Sequence, residues 1–448
     1  MGLHFTTALL QDGWAKDVRL TIADGRIAGI ERDVPPLPYD ERAGIGLPGV
    51  ANLHSHAFQR GMAGLTERRG LGRDSFWSWR TLMYRFVEHL TPDDLEAIAA
   101  QAYVEMLEAG FTRVGEFHYL HHDQAGRSYD DLGEMAARIG SAAGQSGIGL
   151  TLLPVFYAHG GFGGAPTGMA QARFLNDPDS YGALIDASRR AVAGLDGAVV
   201  GIAPHSLRAV TPDELTAILP LAEAAPIHIH IAEQVREVAD CKAWSGARPV
   251  EWLLANAPVG RRWCLVHATH MTHEEASALA RSGAVAGLCP ITEANLGDGL
   301  FPAAVFGGAF GVGSDSNVLI SLAEELRLLE YGQRLKRRSR NVMAAAANAS
   351  TGRRLFDAAV AGGAQALGVE GGLKIGAPAD VVSLDPDHPA LIARGEDDII
   401  DSFIFAGGHG LISGVWRGGT QLVTYGIHHR RTEVAARYRR TLERLLAA

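Results

Sequence analysis

Apolar residues along the chain change period several times, and the changes mark its organisation. At 3–10, 17–22 and 26–31 the chain carries short runs rich in β-branched residues, separated by Asp12-Gly13 and Asp24-Gly25. Such runs between turn dipeptides predict antiparallel strands. Comparable runs return at 379–384, 402–405 and 412–425, reached through the glycine-rich passage 371–378. Strands from both ends of the chain are therefore expected to meet in a small β-sandwich.

Between these ends the pattern alternates. Eight apolar runs, at 46–53, 112–117, 149–156, 199–203, 227–231, 263–266, 285–288 and 310–313, are separated by segments of helical period such as 92–109, 181–193, 212–224, 273–282 and 319–335. Strand and helix in alternation is the signature of a parallel sheet made of βα units. Thr211 and Thr272 stand where helix N-caps belong. Eight such units predict an α/β fold built on a (β/α)8 TIM-type barrel. The domain expectation is a composite β-sandwich from 1–48 plus 372–428, a barrel over 49–371 and a C-terminal helix over 429–448. No internal repeat or low-complexity segment suggests a solenoid.

Composition narrows the function classes. With 47% hydrophobic and 20% charged residues, 54 glycines and 19 prolines among 448, the chain reads as a compact α/β protein rather than a disordered one. A formal charge of −9 argues against nucleic-acid binding, and an anionic ligand would need a local cluster of arginines to offset that field. Cys241, Cys264 and Cys289 are odd in number and widely spaced, so no disulfide framework is expected. The start lacks a secretory pattern and no stretch is apolar enough to span a bilayer, which leads to the expectation of a cytoplasmic protein without membrane partners. The basic run Lys336-Arg337-Arg338-Ser339-Arg340 reads as a solvated helix end. In the last segment Val434, Ala435, Tyr438, Leu442 and Leu445 fall at helical spacing. That face is expected to pack on the body or on a second copy, which makes a homodimer the expected assembly.

The candidate chemistry lies at the ends of the predicted strands, where barrels of this type keep their active sites. His54 and His56 are two apart, so a strand aims both to one side. In Ile227-His228-Ile229-His230-Ile231 the alternation directs the isoleucines to the helix-facing side and the histidines inward. His230, nearer the strand end and three residues before Glu233, is the expected ligand, with His228 a hydrogen-bonded residue one layer down. His267 ends the run Trp263-Cys264-Leu265-Val266 and is preferred to His270 in the following loop. Asp315 lies in Gly313-Ser314-Asp315-Ser316-Asn317, where a turn carboxylate would be the bland reading. Taken together, His54, His56, His230 and Asp315 suit one divalent ion with an open position for water, zinc first, iron or manganese as alternatives. Glu233, His267 and Asp315 remain to move protons.

This ordered set resembles the amidohydrolase superfamily, in particular its single-metal aminohydrolase branch, over the whole chain including Gly376-Ala377-Pro378-Ala379-Asp380. Five strings are similar to those of the formimidoylglutamate deiminases of histidine degradation. They are Leu53-His54-Ser55-His56-Ala57-Phe58-Gln59-Arg60, Phe76-Trp77-Ser78-Trp79-Arg80, Ala203-Pro204-His205-Ser206-Leu207-Arg208, the segment 228–234, and Thr292-Glu293-Ala294-Asn295-Leu296-Gly297-Asp298-Gly299. The resemblance implies hydrolysis of N-formimidoyl-L-glutamate to N-formyl-L-glutamate and ammonia by a metal-bound hydroxide. It also implies substrate contacts from Gln59, Arg80, Tyr119, His205 and Arg208. A substrate with two carboxylates suits two guanidinium partners. The alternatives are another deaminase of the superfamily acting on a purine, pyrimidine or s-triazine ring, and a non-catalytic metal-binding barrel. The glycine-rich segments 61–79 and 160–173 are expected to cover the site.

Overall fold

The computed structural model describes residues 1–69, 72 and 74–447. Strands from both chain ends do pair, in one eight-stranded sheet. From edge to edge it runs Ile427–His428, Thr420–Thr424, Ile412–Arg417, Val381–Leu384, Glu41–Pro48, Gly2–Leu10, Gly13–Ala23 and Arg26–Glu31. The first hairpin pairs Leu10 with Gly13, and Gly13 takes φ 125°, which only glycine adopts without strain. Leu3, Phe5, Val18, Leu20, Val381 and Trp416 form a core of their own on this sheet.

Two expectations for these strands need correction. Residues 402–405 are not a strand: Asp397–Ser402 is helical and passes into the π-turn Phe403–Gly407. Phe403 and Ile404 are buried there as part of a helical face, and Arg327 Nε donates to the Ile404 carbonyl at 2.7 Å. The sheet position is filled instead by Glu41–Pro48, which pairs with Gly2–Leu10 on one side and Val381–Leu384 on the other. The run 46–53 is thus divided at Gly49 between two sheets. Beyond it Val50–Ser55 starts the second.

The parallel strands fall into two groups. Val50–Ser55, Phe111–His118, Gly149–Phe156 and Val199–Val200 pair in that order, with Ala203–Pro204 also on Gly149–Phe156. Ile227–Ile231, Trp263–His267, Val285–Leu288 and Ala309–Val312 make the second group. Parallel bridges join the groups at both margins, Ser55 to Asp315 on one and Ile202 to Ile227 and Ser206 to His230 on the other. These strands are almost wholly buried, as parallel strands covered on both faces are. The expected strand 199–203 is two short pieces, and the expected helix 212–224 stops at Ile218, where Pro220 forces a 3-10 turn. Thr211 and Thr272 cap their helices, accepting from the Glu214 and Glu275 amides.

The last helix, Arg431–Ala447, lies on Pro92–Glu108 of the same chain. Arg437 pairs with Glu96 at 2.6 Å, Arg444 with Asp94, and the Tyr438 hydroxyl donates to the Arg60 carbonyl at 3.2 Å. Among the described residues no helix is long and apolar enough to cross a membrane.

Candidate active site

Parallel pairing brings the ends of these strands to one side, and polar side chains stand at or just beyond several of them. His54 lies near the end of the strand Val50–Ser55 and His56 just beyond it, His230 comes from Ile227–Ile231, His267 closes Trp263–His267, and Asp315 follows Ala309–Val312. His267 and Asp315 take φ 68° and 47°, the left-handed region that a non-glycine residue enters at a cost. These turns fold the chain over at the strand ends. They aim both side chains inward.

The backbone there is held by a polar network that the sequence pattern does not announce. Asn52 Nδ2 donates to Ser314 Oγ at 2.6 Å, and the Ser314 amide donates back to Asn52 Oδ1 at 3.0 Å. Asn317 Nδ2 donates to Ser55 Oγ and to the His56 and Asp315 carbonyls, each at 3.1 Å. Glu116 accepts from the Ala57 amide at 2.7 Å, and burial pushes its carboxyl up to about 8. The His54-Ser55-His56 segment is fastened on both sides.

His56 Nδ1 donates to the Phe117 carbonyl at 2.9 Å and His230 Nδ1 to the His205 carbonyl at 3.1 Å. With Nδ1 so occupied, each ring is left with its Nε2 lone pair facing a shared centre. His54 Nε2 lies 3.0 Å from His230 Nε2 and 3.5 Å from Asp315 Oδ1, and His56 Nε2 is 3.3 Å from the same oxygen. Tetrahedral ligands each about 2.05 Å from one ion stand about 3.3 Å apart, so these atoms fit a metal. Burial drives His54 down to about 3 and lowers His56 and His230 as well, keeping the rings neutral as ligands must be. Although burial works to raise Asp315, the His54 contact and the nearby imidazoles hold it well below the usual carboxylate range.

The residues expected to move protons sit beside this cluster. His267 Nε2 is 3.9 Å from Glu233 Oε1 and 3.9 Å from Asp315 Oδ2, so the two oxygens of Asp315 face different partners. Burial pushes Glu233 up to about 7, against the pull of His267 and Arg208. Burial opposes protonation of His267, yet Glu233, Glu293 and Asp315 raise it to about 10. Its Nδ1 donates to Glu293 Oε1 at 3.3 Å, a pairing that no local spacing announces. His228 does lie one layer down, its Nε2 donating to the Ala366 carbonyl at 2.7 Å.

A cavity of ≈ 570 Å³ opens over these groups. His56, His230, Glu233, His267 and Asp315 line it together with Gln59, Arg80, Tyr119, His205 and Arg208, while His54 is fully buried behind them. Gln59 Nε2 donates to the Tyr119 hydroxyl at 2.9 Å, and no ion pair engages Arg80 or Arg208 among the described residues. Phe76, Trp79, Met83 and Tyr84, from the helix Phe76–Glu88, form much of one wall, and Tyr157 and Phe174 add to it. The spacing 76, 79, 80, 83, 84 is one face of this helix, where a covering loop reaching to 79 and Arg80 in a loop were expected. The covering segment 61–79 partly lies outside the described residues, at Gly70, Leu71 and Arg73.

Comparison with known proteins places these observations. Residues 45–422 match the amidohydrolase family, and residues 3–44 match the N-terminal domain described as that of formimidoylglutamate deiminase HutF. The chain is 52% identical over 427 residues to formimidoylglutamate deiminase of Pseudomonas aeruginosa, covering 94% of each protein. The crystal structure of an amidohydrolase from Brucella melitensis superposes with a TM-score of 0.96 at 56% identity, covering 99% of both chains. An adenosine deaminase from Xanthomonas campestris with bound zinc, 21% identical, shares the fold at a TM-score of 0.80 over 100% of this chain and 98% of its own.

Proposed function

The chain belongs to the amidohydrolase family, and from that premise we propose that its cavity hydrolyses N-formimidoyl-L-glutamate to N-formyl-L-glutamate and ammonia, a step of histidine degradation. The observation that carries the substrate is the pair Arg80 and Arg208. Two guanidiniums that no ion pair engages among the described residues line the same cavity as the histidine–aspartate cluster. They suit two carboxylates, and the similarity to a formimidoylglutamate deiminase supports the same reading. Gln59, Tyr119 and His205 are the further polar contacts in this proposal.

His54, His56, His230 and Asp315 would hold one divalent ion, zinc in preference to iron or manganese, which supplies Lewis acidity and makes water a nucleophile near neutral pH. Asp315 Oδ2, turned toward His267, accepts the proton that the attacking water loses. A C–O bond forms at the formimidoyl carbon. Glu233, poised near neutrality, delivers a proton to the imine nitrogen, and His267 steadies the charge that develops. As the C–N bond breaks, the hydroxyl proton returns to Glu233 and the proton held by Asp315 passes to the nitrogen, which leaves as ammonia with the formyl group retained on glutamate.

In architecture the proposal takes the two parallel groups, bridged at both margins, as one (β/α)8 barrel over 49–371. A composite domain of 1–48 plus 372–428 flanks it, and two copies form a homodimer. The deciding experiment incubates metal-loaded protein with formimidoylglutamate. Ammonia and N-formylglutamate are expected; formamide and glutamate would overturn the assignment.

A further inference from the structure

The helix Phe76–Glu88 contributes more than a wall. Trp77, half-buried at its start, does not line the cavity, yet three guanidiniums gather on its indole. Arg80 Cζ lies 4.9 Å from the ring centroid, Arg236 4.8 Å and Arg208 5.9 Å. Arg80 is three residues further on the same helix and so shares a face with Trp77. Arg208 and Arg236 arrive from the loop after Ala203–Pro204 and from the helix Val235–Ser245. Three like charges that close together repel one another, and proteins usually settle such a group with a carboxylate. Among the described residues the one ion pair in this group is Arg236 with Asp240 at 3.5 Å, on its own helix, while Glu237 and Glu233 act on Arg208 only from beyond ion-pair distance. Arg208 Nε is buried and makes no hydrogen bond among the described residues.

We infer that Trp77 is a positioning residue that sets specificity for a dianionic substrate. The face of an indole attracts a cation through its quadrupole without carrying net charge. It therefore orients Arg80 and Arg208 while leaving their positive field available to the ligand. A carboxylate in the same place would hold them more tightly but cancel the charge that two substrate carboxylates need. Because Trp77 stands behind the guanidiniums, its contribution belongs to binding rather than to the bond-breaking step. This inference rests on the deiminase reading above.

The test compares wild type, Trp77→Phe and Trp77→Leu on two substrates. One is N-formimidoyl-L-glutamate; the other is N-formimidoyl-4-aminobutyrate, which lacks the α-carboxylate. Trp77→Leu is expected to raise KM for the dianion about tenfold, the scale of one or two such contacts, with kcat changed less than about threefold. On the monoanion the same change should alter kcat/KM by less than about threefold. Trp77→Phe, which keeps a ring, should lie between wild type and the leucine variant and decides the matter if leucine is not tolerated. Equal losses on both substrates, a fall in kcat with KM intact, or no change would each overturn the role of Trp77. Wild-type protein that leaves formimidoylglutamate untouched would instead overturn the deiminase reading, and this inference with it.

Discussion

Glu233 and Glu116 are both buried carboxyl groups, and their surroundings give them different work. Glu233 faces the cavity beside His267, and burial places it near 7, where it can give a proton as readily as take one. Glu233→Gln is expected to lower kcat by about 10²–10⁴ with little change in KM, measured by ammonia release. Glu116 lies behind the site, fully buried, and supports the Ala57 amide next to His56. With its folded pKa raised from an ordinary 4.5 to about 8, the native state holds a proton that the unfolded chain has released. Its stabilising effect is complete below about 4.5 and is lost as pH rises to about 8, at up to about 1.4 kcal/mol per pH unit. Glu116→Gln should therefore flatten the fall in stability across that window. Parallel denaturation curves for the two proteins between pH 5 and 8 would contradict this.

At the scale of elements, the close approach of the helix Thr351–Ala366 to the parallel strands is set by its glycines. A Cβ at Gly362 would run into the backbone carbonyl of Phe310, and one at Gly363 would sit 2.7 Å from the Ala51 carbonyl. Gly362→Ala is expected to cost about 1–3 kcal/mol, the scale of overpacking, even though alanine is the better helix former. Thermal unfolding checks it: an unchanged or higher Tm would mean the helix can shift freely. The elements also show where periodicity misleads. Residues 402–405 are apolar enough for a strand, but Asp397 and Asp398 begin a helix just before them and carry it through. The helix Phe76–Glu88 was legible in spacing yet obscured by aromatic residues, which favour strands by composition.

For the whole molecule, the proposed ligand set spans both groups of parallel strands: His54 and His56 on one, His230 and Asp315 on the other. A bound ion would then link the two groups as well as serve the chemistry. Removing it with a chelator should abolish ammonia release and lower Tm together, by about 4 kcal/mol of lost stability where the ion had stood at a thousandfold above its Kd. Restoring the metal should recover both. Loss of activity with Tm unchanged would mean that the two groups of strands hold together without the ion's help.

The alternation of strands and helices through most of the middle of the chain, and the histidines and carboxylates at or near the strand ends, follow from the sequence. Each of these depends on local period or on residue type at a fixed spacing, and local interactions register that directly. Glu293 behind His267, the Asn52–Ser314–Asn317 network and the three guanidiniums on Trp77 do not. Each joins residues from different elements, in several cases more than two hundred positions apart, and no local pattern encodes which of them will meet. The proposed chemistry was therefore written in the order of its candidate ligands. What orients those ligands, and what keeps Arg80 and Arg208 free for a substrate, was decided only when packing closed the chain around one cavity.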